Sequence, residues 1–146
     1  MLERKDIIVI GRRETAQLLD FGLENVRVKI DTGAYTSSIH VSHCHESNGK
    51  LEVVFLDENH PSFNPQLMYF DKFRIRKVKS STGQVQSRYF IFGQISIAGL
   101  TFQTEFSLTE RKGMRFPILI GRKLLNHNFI IDTSKKYKHS KKKNKI

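Results

Sequence analysis

The stretch at residues 26–40 sets the strongest constraint on how this chain can fold. Three apolar residues alternate with two basic ones over residues 26–30, which is the period of a strand with one buried face. An Asp-Thr-Gly triplet follows at residues 31–33, and a second alternating segment runs over residues 36–40. Because glycine allows a sharp turn between two strands, we predict that Asp31 lies on a tight loop at the end of the first strand.

The triplet is suited to holding a catalytic acid. Asp31 supplies a carboxylate that can polarise a water molecule, and the Thr32 hydroxyl can hydrogen-bond the nearby backbone and stiffen the loop. Gly33 lacks a Cβ atom, so its N–H group can approach the carboxylate, and Ala34 keeps the next position small. We predict Asp31, Thr32 and Gly33 as the catalytic residues, with Ala34 in structural support. The alternative is that Asp31 only ends a strand and caps a turn.

A second motif lies near the other end of the chain. An apolar run at residues 116–120 leads into Gly121 and Arg122, and a short helix is predicted over residues 122–127. Elsewhere, short alternating segments are separated by turn residues, such as the Asn-Gly pair at residues 48–49, which is a strong hairpin signal. Many short strands with one short helix are typical of a closed all-β barrel.

Taken in order, these motifs resemble the bacterial and archaeal retropepsin-like family known as ATP-dependent zinc proteases. The resemblance spans roughly residues 8–134 and includes further matches at Gly11-Arg12-Arg13-Glu14, Ser80-Ser81-Thr82-Gly83 and Arg88-Tyr89. It implies an all-β fold, a closed six-stranded acid-protease barrel with one short helix, over residues 1–134. The hairpin at residues 79–84 would then be a flap over the cleft, the alternative being an ordinary solvent-exposed hairpin.

The aspartic mechanism determines the assembly that the resemblance implies. The mechanism needs two carboxylates that share one proton, yet this chain has one Asp-Thr-Gly triplet and is too short for two lobes. Retropepsins form a twofold homodimer, so a homodimer with paired Asp31 residues is implied. The implied activity is that of an aspartic-type endopeptidase acting on peptide bonds or on the amide bond of an amino-acid tag. Gly121 and Arg122 would support the site, Arg122 through an ion pair beneath it or across the dimer.

An intrachain pair is the alternative source of the second acid. The stretch Ile130-Ile131-Asp132-Thr133 echoes the approach to Asp31, but Ser134 stands in place of the glycine. Lysines follow directly, so we expect this loop to lack the tether of a following strand. Asp132 is therefore the less favoured partner of Asp31.

One cluster has the ligand types of a zinc site. His40, His43, Cys44 and His45 combine imidazoles with a thiol, but their spacing fits no standard zinc pattern, and only His40 falls on the family pattern. No metal is therefore predicted, with zinc at these four residues as the less favoured alternative.

No cofactor is predicted, because the chain lacks the Gly-rich phosphate-binding loop of ATP-binding proteins. Members of the family are often associated with ATP-grasp peptide ligases. The resemblance therefore implies such a ligase as a partner, which would bind the ATP, and a peptide or peptide-tagged substrate made elsewhere.

Charge is unevenly distributed along the chain. The net charge is +11, and residues 135–146 contain seven lysines and no acid. We predict that this tail is disordered and solvated, the alternative being that it contacts an anionic partner such as nucleic acid, a membrane or an acidic protein. The rival functions for the whole chain are a non-catalytic peptide- or RNA-binding barrel and a zinc-dependent hydrolase that uses the histidine cluster.

Cysteine usage and hydropathy bear on the compartment. The single cysteine, Cys44, excludes an intrachain disulfide and favours a reducing environment. No apolar run approaches the roughly 18 residues of a membrane span, and the apolar stretch at residues 7–10 is too short for a secretory leader. We therefore expect a cytoplasmic protein.

Overall fold

The computed structural model describes residues 7–79, 82–110 and 115–139 of the 146-residue chain. These residues form eleven strands, one short α-helix and a single 3₁₀ turn at Leu19–Phe21. In chain order the elements are β1 (Ile8–Gly11), β2 (Arg13–Leu18), β3 (Leu23–Ile30), β4 (Ser37–Ser47), β5 (Lys50–Phe55), β6 (Met68–Phe70), β7 (Arg74–Lys79), β8 (Val85–Ile97), β9 (Leu100–Thr109), β10 (Ile118–Ile120), α1 (Arg122–Leu125) and β11 (Phe129–Asp132).

The predicted all-β fold with one short helix is confirmed. The helix is shorter than the predicted span of residues 122–127, because Asn126 already has the non-helical dihedral angles φ −58° and ψ 131°. The described part of the chain contains no helix that could span a membrane.

Six of the strands close into a barrel. Along the sheet they lie in the order β10, β3, β2, β8, β9 and β4, and β4 returns to pair with β10. The predicted closed, six-stranded barrel is therefore confirmed. Strands β5 and β6 extend the sheet beyond β4, and β7 pairs with the N-terminal half of β8.

The apolar side chains of the alternating segments fill the barrel interior. In β3 the side chains of Val26, Val28 and Ile30 are buried, while the basic residues between them are exposed. Each such burial contributes about 1.5–3 kcal/mol relative to an exposed side chain. Gly93 in β8 leaves room for Phe21, since a Cβ atom there would overlap the Phe21 ring.

Turn residues connect the strands as the sequence predicts. The Asn-Gly pair at residues 48–49 has φ values of 53° and 79°, which are the left-handed values of a tight hairpin turn. Between β7 and β8, Lys79 pairs with Val85, so the hairpin predicted at residues 79–84 is present. Residues 80–81 of its tip lie outside the described residues, and its role as a flap stays a prediction.

The two ends of the described chain lie side by side. Strands β1 and β11 form a separate two-stranded parallel sheet. Residues 133–139, here called the C-terminal strap, then run across β1 and β2, where the carbonyl oxygen of Lys135 accepts the backbone N–H of Arg12 at 2.8 Å. The first part of the predicted tail therefore contacts the barrel. Residues 140–146 lie outside the described residues, and the domain boundary at residue 134 stays a prediction.

Candidate active site

The loop that carries Asp31 is held by three strands. Strand β10 lies between β3 and β4, parallel to the first and antiparallel to the second. The loop that joins β3 to β4 must therefore cross the end of β10. There the backbone N–H of Asp31 donates to the carbonyl oxygen of Ile120 at 2.8 Å. This hydrogen bond fixes the backbone of Asp31 relative to the second motif of the sequence.

The first turn of α1 closes on the same loop. The backbone N–H groups of Arg122 and Lys123 donate to the carbonyl oxygens of Ala34 and Tyr35, both at 2.8 Å. Gly121 makes this approach possible, because a Cβ atom there would lie only 2.6 Å from the carbonyl oxygen of Tyr35. Ala34 and Gly121, predicted as supporting residues, therefore lie together at the contact between the helix and the loop.

The Asp31 carboxylate lies near the surface. Asp31 and Ala34 are half-buried, whereas Thr32 and Gly33 are exposed. The N–H of Gly33 donates to Oδ1 of Asp31 at 3.0 Å, and within the described ranges it is the one hydrogen-bond donor to this carboxylate. A carboxylate held by one backbone donor on an open loop can accept further contacts from outside the chain.

The side chain of Arg122 supports the loop by contacting the loop's backbone. The Nη1 atom donates to the carbonyl oxygen of Thr32 at 2.9 Å, and the guanidinium lies 5.7 Å from the centre of the Tyr35 ring. Arg122 forms no ion pair with any carboxylate that the structure describes, so the predicted ion pair is not formed within the described part of the chain. An ion pair across a dimer stays a prediction. The Thr32 hydroxyl, predicted to stiffen the loop, forms no hydrogen bond in the described part of the chain, and Thr32 contributes its carbonyl instead.

Asp132 is engaged elsewhere in the fold. It ends β11 opposite Gly11, and its Oδ1 accepts both the hydroxyl of Ser134 at 2.6 Å and the N–H of Ser134 at 3.0 Å. These two hydrogen bonds lower the pKa of Asp132. No hydrogen bond joins Asp132 to Asp31 in the described chain, so the alternative intrachain pair is not formed.

His40, the one zinc candidate on the family pattern, is buried among other partners. Its Nε2 atom lies 2.7 Å from Oδ2 of Asp57, and its Nδ1 atom lies 3.2 Å from the carbonyl oxygen of Thr109. Both ring nitrogens are therefore engaged within the fold, and neither is available to a metal ion without breaking one of these contacts.

The other three zinc candidates are divided between the two faces of β4. The rings of His43 and His45 lie 6.3 Å apart, and Cys44, between them in the strand, points to the opposite face. Burial and the nearby Glu110 raise the pKa of the Cys44 thiol to about 12, which disfavours the thiolate that zinc binds. Among the described residues, no group of three or more His, Cys, Asp or Glu side chains is arranged to hold a metal ion. The four candidates therefore do not fit a shared zinc site.

Sequence reasoning missed a buried carboxylate beside the site. Glu105 in β9 is 1% exposed; its Oε2 lies 2.6 Å from Nη2 of Arg74 and its Oε1 lies 3.1 Å from Nζ of Lys123. Burial alone would raise the pKa of Glu105, but the hydrogen bonds from these two cations outweigh it and lower the pKa. Because Arg74 begins β7 and Lys123 belongs to α1, Glu105 joins the hairpin to the helix that holds the Asp31 loop.

The closed barrel and the strand-held Asp31 loop together define a retropepsin-like acid-protease domain. The chain belongs to the RimB-like family, which is described as "Retropepsin-like aspartic endopeptidase RimB". The family model matches residues 9–142. The predicted family resemblance is therefore confirmed.

The curated proteins that this chain resembles are named as ligases. The chain is 28% identical to a "Probable alpha-L-glutamate ligase" of Shewanella halifaxensis (strain HAW-EB4), a match that covers 88% of this chain and 29% of that protein. It is 26% identical to a protein of the same name from Parasynechococcus marenigrum (strain WH8102), over 86% of this chain and 28% of the relative. The chain thus spans less than a third of the length of these curated relatives.

A solved structure supports the fold. The crystal structure of Lpg0085, a protein of unknown function from Legionella pneumophila subsp. pneumophila str. Philadelphia 1, superposes with a TM-score of 0.68 at 23% identity. The match covers 92% of this chain and 99% of that one, so the two share the fold across nearly their whole length.

Proposed function

We propose that this chain is an aspartic-type peptidase in which the Asp31 residues of two copies meet across a twofold axis. The observation that carries this proposal is the Asp31 loop, whose backbone is fixed by β10 and α1 while its carboxylate lies near the surface with one backbone donor. No second carboxylate of the described chain contacts Asp31, so a second copy is the source that fits a symmetric site.

One of the paired carboxylates would act as the base and the other as the acid. Two carboxylates in close contact share one proton, so one is ionised and the other is protonated. The ionised Asp31 takes a proton from a water molecule as the water oxygen attacks the peptide carbonyl carbon. The protonated Asp31 of the second copy gives its proton to the carbonyl oxygen. The resulting diol collapses as the C–N bond breaks, and the amine leaves with the proton that the first Asp31 took from the water. The Gly33 N–H and the Arg122 contact with Thr32 keep each carboxylate in position.

We propose peptides of α-linked glutamate as the substrate class. The matched segment makes up 29% or less of each curated relative, and these relatives are named as α-L-glutamate ligases. A glutamyl peptide is the kind of molecule on which both a glutamate ligase and a peptidase could act. The net charge of +11 also favours an acidic substrate. A ligase partner, which the family resemblance implies, fits this substrate. A cytoplasmic location, expected from the sequence, fits the single cysteine.

The test compares the wild-type chain with Asp31→Asn and with Asp132→Asn as the matched control. Asp31→Asn should fold normally but leave an α-linked oligoglutamate intact, whereas Asp132→Asn should cleave it at the wild-type rate. Cleavage by Asp31→Asn would contradict the mechanism, and no cleavage by any of the three proteins would contradict the substrate class.

A mixing experiment tests the pairing of the two carboxylates. Equal amounts of wild type and Asp31→Asn, allowed to exchange subunits, should retain about one quarter of the activity of the same total amount of wild type, because only dimers with two Asp31 residues are active. Retention of about one half would mean that each chain acts alone, and it would contradict the dimeric site.

A further inference from the structure

The hairpin of β7 and β8 carries positive charge that the described residues neutralise only in part. Residues 74–90 contain five basic side chains and no acidic one. Of these five, Arg74 alone has a carboxylate partner among the residues that the structure describes, namely Glu105. The remaining charge belongs to Arg76, Lys77, Lys79 and Arg88. A cluster of unpaired cations on one hairpin costs electrostatic energy, so it calls for an explanation beyond the stability of the fold.

Two of the four cations form a like-charge pair. Arg76 and Arg88 stand directly opposite each other in the antiparallel ladder. Like charges in this position repel each other and destabilise the pairing of the strands. The guanidinium of Arg76 lies 5.1 Å from the centre of the Phe90 ring, which places both arginines on the Phe90 face of the hairpin. Arg88 is half-buried, and its guanidinium forms no ion pair or hydrogen bond with any residue that the structure describes.

A cleft opens beside Arg88. It has a volume of about 450 Å³, and Gln86, Ser87 and Arg88 from β8 line it together with Thr109 and Glu110 from the end of β9. Amide, hydroxyl and guanidinium groups all donate hydrogen bonds, and Glu110 is the one carboxylate of the lining. Cys44, Tyr89 and Leu108 complete the lining, so the cleft is of mixed polarity and the guanidinium of Arg88 is its one positive charge.

We propose that Arg76 and Arg88 together bind the carboxylate side chains of an extended acidic peptide. A guanidinium binds a carboxylate through two parallel hydrogen bonds, and such a pair would replace the repulsion between the arginines with attraction. Alternate side chains of an extended peptide lie about 7 Å apart on one face, a spacing that two neighbouring long arginines can reach.

The acidic character of the ligand follows from charge complementarity alone. The choice of glutamate as its acidic residue rests on the proposed function. The probe is therefore a fluorescein-labelled oligomer of α-linked glutamate, and an oligomer of glutamine of equal length is its neutral counterpart. Binding is measured by fluorescence anisotropy with the full chain carrying Asp31→Asn, so that the probe is not consumed.

The matched variants remove charge from the two faces of one hairpin. In the double variant Arg76→Gln with Arg88→Gln, the affinity for oligoglutamate should fall about tenfold or more, because two charge-assisted contacts are lost. Lys77 and Lys79 lie on the opposite face, since they pair with Ser87 and Val85. Replacing both lysines with Gln should lower the affinity by less than about threefold, the effect of a general change in charge. Oligoglutamine should not bind.

Three results would overturn the proposal. The first is unchanged binding in the arginine double variant, and the second is an equal loss in the lysine double variant. The third is displacement of oligoglutamate by an RNA oligomer of equal charge at lower concentration, which would make this a nucleic-acid surface. If the arginine double variant does not fold, Arg76→Gln, whose side chain is exposed, replaces it, with an expected loss of about threefold or more.

Failure of this inference is distinguishable from failure of the proposed function. The binding assay uses a chain without the Asp31 carboxylate, so its outcome does not depend on catalysis. A protein that binds oligoglutamate through Arg76 and Arg88 but never cleaves it would contradict the peptidase proposal alone. A protein that cleaves oligoglutamate equally well without the two arginines would contradict this inference alone.

Discussion

The Nε2 atom of His40 lies 2.7 Å from Oδ2 of Asp57, and this contact ties the loop after β5 to strand β4. The Nδ1 atom of the same ring lies 3.2 Å from the carbonyl oxygen of Thr109 in β9. Both ring nitrogens of His40 therefore have partners within the fold. Three parts of the fold therefore meet at one buried ring.

The Asp57→Asn variant should be less stable than the wild type. The free energy of unfolding should fall by about 1–3 kcal/mol, because the buried ring loses a charged acceptor. Urea unfolding followed by circular dichroism measures the change. Asp71→Asn is the control, since Asp71 is exposed and its contact with Lys50 is a 3.6 Å surface pair that should contribute little. Equal losses in the two variants would show that the His40 contact is not the cause.

The same cluster predicts that stability falls in acid. Burial would raise the pKa of Asp57, but the N–H of Asn59 and the contact with His40 outweigh it and lower the pKa below its ordinary value of 3.8. The stability that Asp57 contributes is therefore present above that ordinary value and is lost as the pH falls through the folded pKa. Burial also lowers the pKa of His60 below 6.5, so the stability linked to neutral His60 is present above pH 6.5 and is lost on acidification.

Both groups act in the same direction but in different ranges: His60 should make the free energy of unfolding decrease below about pH 6.5, and Asp57 should add to the decrease only below about pH 4. Urea unfolding at a series of pH values measures this slope. In His60→Gln the decrease should begin only at the lower pH where carboxylates titrate. A slope that is unchanged in this variant would show that His60 does not contribute to it.

The strands around Asp31 could be predicted because their signal is local. The alternation of Val26, Val28 and Ile30 with basic residues is a property of neighbouring positions, and the structure buries all three. The position of β10 could not be predicted in this way. Its pairing of Ile118 with both Val28 and Ile39 joins residues about 80–90 positions apart, and no local pattern encodes such a contact.

The burial of two acidic residues could not be predicted from local patterns either. Glu105 accepts hydrogen bonds from Arg74, 31 positions away, and Glu14 accepts one from Lys138, 124 positions away. In the sequence each is a single acidic residue within a strand segment, which is normally exposed. Their burial depends on which cations and N–H groups the completed fold brings to them, so the sequence pattern alone did not single them out as buried.

Replacing Glu105 with Gln should weaken the connection between β7 and α1. Arg74 and Lys123 would lose their shared carboxylate, and the free energy of unfolding at neutral pH should fall by about 1–3 kcal/mol. Because the folded pKa of Glu105 is lowered, its contribution is present above its ordinary pKa of 4.5 and is lost in acid. The difference between wild type and variant, measured by urea unfolding, should therefore shrink below about pH 4. A difference that is independent of pH would contradict the assigned ion pairs.

Two glycines provide a matched test of the Asp31 loop. A Cβ atom at Gly121 would lie 2.6 Å from the carbonyl oxygen of Tyr35, and one at Gly11 would lie 2.6 Å from that of Lys135. Each Gly→Ala change should destabilise the fold by about 1–3 kcal/mol through the same kind of overpacking. Only Gly121→Ala displaces the Asp31 loop, so it alone should lower the rate of oligoglutamate cleavage per folded molecule. Equal rates in the two variants would show that the contact of α1 with the loop does not position Asp31.

Glu14 fastens the C-terminal strap to the barrel. Its side chain is fully buried; Oε2 accepts the backbone N–H groups of Gly11 and Lys138, both at 2.9 Å, and Oε1 accepts that of His139 at 3.1 Å. Glu14→Gln keeps the shape but turns one acceptor into an NH₂ group, which would face a donor. The free energy of unfolding should fall by about 1–3 kcal/mol.

Hydrogen exchange locates the effect of this change. In Glu14→Gln the amides of the strap should exchange faster, while those of β8 and β9, remote from Glu14 in sequence, should keep their protection relative to global unfolding. Glu24→Gln is the control, because Glu24 is exposed and should leave the strap unchanged. Unaltered protection of Lys138 and His139 in Glu14→Gln would mean that the other strap contacts, such as that between Lys135 and Arg12, hold the strap without the carboxylate.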